Sequence, residues 1–194
     1  MRVEYRGREA LGRRLAAVSQ DEARRKSTLE DEIKGWLPGG AKLTLLRSSG
    51  WDTTDTPLVA ELSIELNQLA SQAGARTLMP LGLFQAPWQG VFEHEHRSHP
   101  IYLESPFFNH DEITVELPPG MAVESLPAAV KLDRGFGGYD RSVTSEAGTV
   151  KLERRFQLGF HLAKAEAYPG IKQFYASVRS ADDEHVVLRV ADGR

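Results

Sequence analysis

The sequence predicts an α+β fold in which antiparallel strands dominate, sandwich-like in arrangement. A helix pair stands at the N-terminus and one helix lies near the C-terminus. Three observations predict this. The apolar period is about 3.6 residues before Gly40 and about 2 after it. The second half carries several alternating runs separated by Pro- and Gly-rich corners. Helical and strand patterns never alternate regularly, so a doubly wound parallel sheet is disfavoured.

The elements follow in order. Val3 and Tyr5 alternate at the start, as if inside a strand, which suggests a piece of a longer protein. Leu11, Leu15 and Val18 have the spacing of one helical stripe. Ser19 with Glu22 fits a capping box, each side chain satisfying a free backbone N–H. Ala23, Leu29, Ile33, Trp36 and Leu37 form a second stripe, with Glu30 and Lys34 as an i, i+4 pair. Pro38-Gly39-Gly40 stops that helix. Leu43 and Leu45 begin a strand, and residues 58–66 alternate as a strand with one buried face. Thr77–Phe84 reads as another strand, interrupted by Pro80, and residues 85–92 as a connector.

Ile113, Val115 and Leu117 alternate up to the turn at Pro118-Pro119-Gly120. Gly135-Phe136-Gly137-Gly138 forms a second corner. Val150, Leu152, Arg154, Phe156, Leu158, Phe160 and Leu162 are the cleanest alternation. The run is longer than a usual strand, so a bulge is expected near Arg154 or Gly159. Pro169 suits a first helical turn, with Ile171, Phe174, Tyr175 and Val178 as the apolar stripe behind it. Val186, Leu188 and Val190 close the chain as a strand. The organisation reads as two parts. Residues 1–92 hold a helix pair plus strands, and 93–194 are β-rich with the C-terminal helix and closing strand. Neither half alone closes its sheets, so a single continuous core is the alternative.

Composition excludes several classes. The 194 residues carry a net charge of −3, which implies neither a nucleic-acid nor an anionic-membrane partner. There is no cysteine, which removes disulfides, thiolate metal ligands and a thiol nucleophile. No apolar run approaches the roughly 18–20 residues that span a bilayer, and the first residues lack the apolar core of a signal peptide. The basic cluster Arg13, Arg14, Arg24, Arg25 and Lys26 is interleaved with Glu9, Asp21 and Glu22, as on a solvated helix face.

The segment HEHRSH at 94–99 is the obvious candidate for chemistry. His94, His96 and His110 are the metal-ligand candidates, with His99 on the opposite face of any strand. The spacing fails HExxH, because Ser98 stands four residues after His94. Glu93, Glu95 and Arg97 make both faces polar, which fits an edge strand or exposed connector, so no metal is expected. No GxSxG elbow and no Walker A loop is present, and the glycines at 135–138 lack GxGxxG spacing. No cofactor is expected. Adjacent acids Asp111-Glu112 point apart in a strand, and Asp182-Asp183-Glu184 read as a solvated loop. Trp88, Tyr102, Phe107, Phe108, Phe136 and Tyr139 are either core aromatics or a ligand surface, and Trp51 and Trp88 are the ligand-surface candidates.

One ordered set of segments carries a family resemblance. Arg97 and His99-Pro100-Ile101-Tyr102 come first, followed by the run from Asp111 to Gly120 and Val123-Glu124-Ser125-Leu126-Pro127. Phe136-Gly137-Gly138-Tyr139, Arg154-Arg155, Tyr168 to Phe174 and Val186-Val187-Leu188 complete it. This resembles the C-terminal region of bacterial transglutaminase-like proteins, the exported kind with domains of unknown function flanking a papain-like core. The resemblance spans nearly the whole chain, more loosely in the first half. It implies a non-catalytic accessory domain, because the family's catalytic Cys, His and Asp would lie in a core preceding residue 1. It implies a transglutaminase-like core as partner, in the same or a neighbouring chain, and a periplasmic or extracellular location. A carbohydrate- or peptide-binding module and a histidine-dependent metal hydrolase are the alternatives.

Overall fold

The computed structural model describes residues 1–37, 39–66, 69–82 and 91–191. The chain divides into two compact units, Met1–Gln68 with Leu83–Pro87, and Leu69–Gly82 with Trp88–Arg194. Antiparallel strands dominate and three helices accompany them among the described residues, which makes the fold α+β. None of the described helices is long and apolar enough to cross a membrane.

In the first unit, β1 (Arg2–Tyr5), β2 (Lys42–Ser49) and β3 (Leu58–Glu65) form an antiparallel sheet with β3 in the centre. Two helices, α1 (Gly7–Ala17) and α2 (Glu22–Lys34), complete the unit. Its core joins Tyr5, Ala10, Leu29, Ile33, Leu45, Leu58, Ala60 and Leu62, with Trp36 packed partly buried against it. Ala23 is exposed, but from Leu29 on the stripe expected on α2 is buried. The stripe expected on α1 is not. Leu11, Leu15 and Val18 are exposed, and α1 buries Ala10 and Ala17 instead. Its inward face carries Arg13 and Arg14 between those alanines. The Arg13 guanidinium stacks 3.8 Å from the Tyr5 ring centre and grips both oxygens of Glu32 at 2.5 and 3.0 Å. Arg14 donates to the carbonyls of Gly50 at 2.8 Å and Thr56 at 2.7 Å.

Three further expectations are corrected here. The N-cap of α2 is Asp21, whose carboxylate accepts the Arg24 N–H at 2.8 Å, rather than Ser19. Glu30 accepts the Leu45 N–H at 2.7 Å and lies 3.9 Å from Lys26, so its ion partner is Lys26 and not Lys34. The helix ends at Lys34, capped by Gly35, before the Pro-Gly-Gly run. Pro38 and residues 83–90, including Phe84 and most of the expected connector, lie outside the described residues. At the end of β2, Gly50 has φ +84°, and a Cβ there would collide with the Pro57 carbonyl, so only glycine fits.

The second unit begins with β4 (Ser71–Ala73) and β5 (Arg76–Pro80), followed by β6 (Ile101–Tyr102), β7 (Phe107–Glu116), β8 (Met121–Ser125) and β9 (Val130–Asp133). Next come β10 (Gly137–Glu146), β11 (Thr149–Leu158), β12 (Leu162–Ala163), α3 (Tyr168–Asp182) and β13 (His185–Val190). One sheet runs β7-β11-β10-β9 and another β4-β5-β13-β8, and β6 pairs with β12. The sequence grouped residues 69–82 with the N-terminal part. The structure groups them with the second unit, because β5 pairs with β13 from Pro80↔His185 to Arg76↔Arg189.

The two four-stranded sheets share one aliphatic cluster, with Val150, Leu152, Ile113 and Val115 from the first and Met79, Val186, Leu188 and Val123 from the second. Further along the same face of the first sheet, α3 lays Ile171, Phe174, Tyr175 and Val178 against Tyr139, Phe156 and Leu158. The expected bulge in β11 is absent: its ten residues pair in unbroken register with both β10 and β7. The long alternation is instead divided. The strand stops at Leu158, and Leu162 re-enters pairing opposite Tyr102 in the small sheet. Register shifts occur elsewhere, between Leu45 and Arg47 and between Val187 and Leu188.

Candidate functional site

Strand alternation gives the first sheet of the second unit an outward polar face and an inward face. On the outward face of β7 stand Phe108, His110, Glu112, Thr114 and Glu116. Register places Glu112 opposite Glu153, and His110 opposite Arg155. The His110 Nε2 lies 3.3 Å from one oxygen of Glu153 and 3.8 Å from one of Glu112. Among the described residues, these three side chains form the group whose potential metal donors all fall within 4.8 Å of one another.

His94 and His96 are not members of that group. They lie with His99 in an exposed connector that has no strand pairing. The local contact there is made by backbone: the His94 carbonyl accepts from the Tyr168 hydroxyl at 2.5 Å and from Lys172 Nζ at 3.0 Å.

The inward face holds a charged cluster that the sequence reading missed. Arg141 on β10 and Arg154 on β11 are direct register partners, and both are buried. Arg154 makes a two-pronged contact with Asp182 on α3, Nε to Oδ1 at 2.8 Å and Nη2 to Oδ2 at 2.9 Å. Its third nitrogen reaches Asp111 Oδ2 at 3.1 Å. The Tyr139 hydroxyl donates to Asp182 Oδ1 at 2.7 Å. Arg141 donates to the Ala181 carbonyl at the end of α3, to the Ala128 carbonyl at 2.7 Å and to Glu184 at 2.6 Å. Its Nε has no hydrogen-bond partner among the described residues.

Burial sets the protonation preferences of this cluster. Desolvation raises the Asp111 pKa above the usual carboxylate range, although Arg154 opposes the shift. Desolvation and the Asp182 charge both push the Tyr139 hydroxyl up. For Arg154, burial disfavours the charged form, but its hydrogen bonds to Asp182 and the nearby carboxylate charges outweigh it and the pKa is raised. Two arginines thus pair with three acids and two backbone carbonyls between the sheet and the end of α3, with the Arg141 Nε left over. Asp182, expected in a solvated loop, is buried at the last turn of α3. The signal was in the sequence. Arg154 holds an inward register position in a run whose other inward members are Val150, Leu152, Phe156 and Leu158. An arginine there requires a buried carboxylate partner.

In the first unit, Trp51 is half-buried and its indole N–H donates to Ser48 Oγ at 3.0 Å. The Arg25 guanidinium lies 5.6 Å from its ring centre. Leu11, Arg14, Trp51, Asp52, Thr53 and Thr54 line a shallow depression of about 350 Å³. Trp88, the other ligand-surface candidate, lies outside the described residues. Of the remaining aromatics, Tyr139 is buried, Phe107 and Phe136 pack partly buried against the α3 cluster, and Tyr102 and Phe108 are exposed.

Comparison with known proteins returns a family without an assigned activity. The model of a domain of unknown function with a solved structure, DUF3858, matches residues 75–188. No curated protein matches the chain. A crystal structure described as that of "a putative protease from Parabacteroides distasonis ATCC 8503" is similar at 18% identity and a TM-score of 0.47. The similarity covers 54% of this chain and 21% of that one, so the chain spans about a fifth of its length.

Proposed function

The chain belongs to the DUF3858 family, and from that premise we propose that it is a non-catalytic accessory domain of a transglutaminase-like protein. It packs on, or presents substrate to, a separate catalytic core. The observation that carries this reading is the closure of the inward charge cluster. Both oxygens of Asp182 are held by Arg154, and Tyr139 adds a third bond. A catalytic acid or base must reach a substrate proton, whereas these groups are committed to one another and fix α3 to the sheet. The chain also has no cysteine, the nucleophile on which a papain-like core depends. The ordered segments from Arg97 to Leu188 that resemble the transglutaminase-like proteins lie within the matched residues 75–188.

Two measurements test the proposal. The purified chain is expected to show no amide hydrolysis and no amine crosslinking; turnover that scales with protein through successive purification steps would overturn it. A transglutaminase-like core expressed with and without this chain is expected to differ in thermal stability or in turnover of a protein substrate. Identical behaviour in both forms would remove the accessory role. A second reading, a carbohydrate- or peptide-binding module, is favoured by the depression beside Trp51, which combines an aromatic face with Asp52, Thr53 and Thr54. Glycan and peptide arrays probed with the chain and with Trp51→Ala address it; equal signals from the two would end that reading.

A further inference from the structure

We propose that His110, Glu112 and Glu153 form a surface site for a divalent transition-metal ion of the zinc class. The proposal does not depend on the accessory role above.

The donor geometry comes first. Zinc binds imidazole nitrogen and carboxylate oxygen at about 2.0–2.2 Å in tetrahedral sites, so neighbouring donors stand about 3.3–3.6 Å apart. The His110 Nε2 already lies 3.3 Å from Glu153 and 3.8 Å from Glu112. All three donors lie within 4.8 Å of one another, so side-chain rotation can gather them on one ion.

The second argument is electrostatic. Like charges directly opposite one another in an antiparallel pair are destabilising, and register fixes Glu112 opposite Glu153. Arg155 contacts Glu153 and partly offsets the repulsion, but Glu112 has no basic residue opposite it. A divalent ion between the two carboxylates neutralises both. Displaced from Glu153, Arg155 has Asp140 opposite it on β10 as an alternative partner.

The scaffold is the third. The donors sit in the central stretches of β7 and β11, two strands paired without a break over ten residues. Binding therefore orders three side chains and no backbone. One imidazole with two carboxylates suits zinc, copper or nickel better than magnesium or calcium, which prefer all-oxygen shells. Three protein donors leave a fourth position for water.

The test is calorimetric titration of the full 194-residue chain, without a histidine tag, with zinc chloride alone. One ion per chain is expected, with a dissociation constant in the micromolar range. His110→Ala is expected to abolish the heat. Glu112→Gln and Glu153→Gln, which preserve side-chain shape, are expected to weaken binding about tenfold or more each. The double variant His94→Ala/His96→Ala is expected to bind as tightly as the parent. Circular dichroism of every variant is expected to match the parent, since the three donors lie on the solvent face. No heat up to about millimolar zinc, or binding that survives His110→Ala, would overturn the proposal. Binding lost in the His94/His96 double variant would overturn it as well.

Discussion

Arg154 stands where a strand normally places an apolar side chain, and its position is tenable because Asp182 and Asp111 meet it there. A buried ion pair contributes little net stability when intact, yet removing one partner leaves an uncompensated buried charge. Arg154→Met is therefore expected to destabilise the second unit by about 3–5 kcal/mol in urea denaturation. Tyr139→Phe, which removes one hydrogen bond to Asp182, is expected to cost about 1 kcal/mol. Equal effects from the two would mean that Asp182, rather than the arginine charge, dominates the cluster. Asp111 behaves differently, because burial raises its pKa above the ordinary 3.8 despite Arg154. The folded state then holds the Asp111 proton more tightly than the unfolded state. Its contribution is fully present below 3.8 and is lost as the pH rises through the raised folded value. Asp111→Asn keeps the neutral form at every pH. The stability of the variant relative to the parent is thus expected to increase as the pH rises from below 3.8 through that window. The opposite slope in denaturation series would show that the attraction of Arg154 outweighs burial.

At the scale of elements, α1 separates apolar periodicity from burial. Ala10, Arg13, Arg14 and Ala17 have the same i, i+3, i+4, i+7 spacing that a core stripe has, and they form the inward face. The alanines are buried, Ala10 in the core cluster, while the arginine heads find Glu32 and two loop carbonyls. Arg14→Ala is expected to destabilise the first unit by about 1 kcal/mol, because it removes the hydrogen bonds to the half-buried Gly50 carbonyl and the exposed Thr56 carbonyl. Leu15→Ala, on the exposed side, is expected to change stability by no more than about 0.5 kcal/mol. The reverse order in thermal melts would restore the apolar stripe as the buried one. The same contrast explains what was legible in the sequence. β3, α3, the 113–116 stretch of β7 and most of β11 were readable because their inward residues are mainly apolar in the period of the element. Among the features that were not are the stripe on α1, the start of β7, the end of β11 at Leu158 and the burial of Asp182. Each depends on a partner distant in sequence, and local spacing carries no information about such partners. The His110 site was half legible. His110 was singled out, but Glu153 joins it only through the β7–β11 register.

At the scale of the molecule, the second unit is closed by its last strand. β13 lies inside the β4-β5-β13-β8 sheet and pairs with β5 on one side and β8 on the other. It also sends Val186 and Leu188 into the cluster shared with the opposing sheet. The sheet therefore cannot assemble until the chain through Val190 has been brought back to residues 76–80, a pairing between distant parts of the sequence that slows folding. Two consequences separate this arrangement from one in which β13 is merely a peripheral addition. Leu188→Ala is expected to cost about 2–5 kcal/mol, as for a buried leucine at the centre of a core. In native-state hydrogen exchange, the paired amides of β13 are expected to open only with global unfolding of the unit, whereas those of the edge strands β4 and β8 open by local fraying. Dependence on denaturant distinguishes the two modes, because global opening exposes more surface and responds more steeply. If β13 amides exchanged as fast as those of β8 and with the same shallow dependence, the last strand would be an accessory to the sheet rather than its centre.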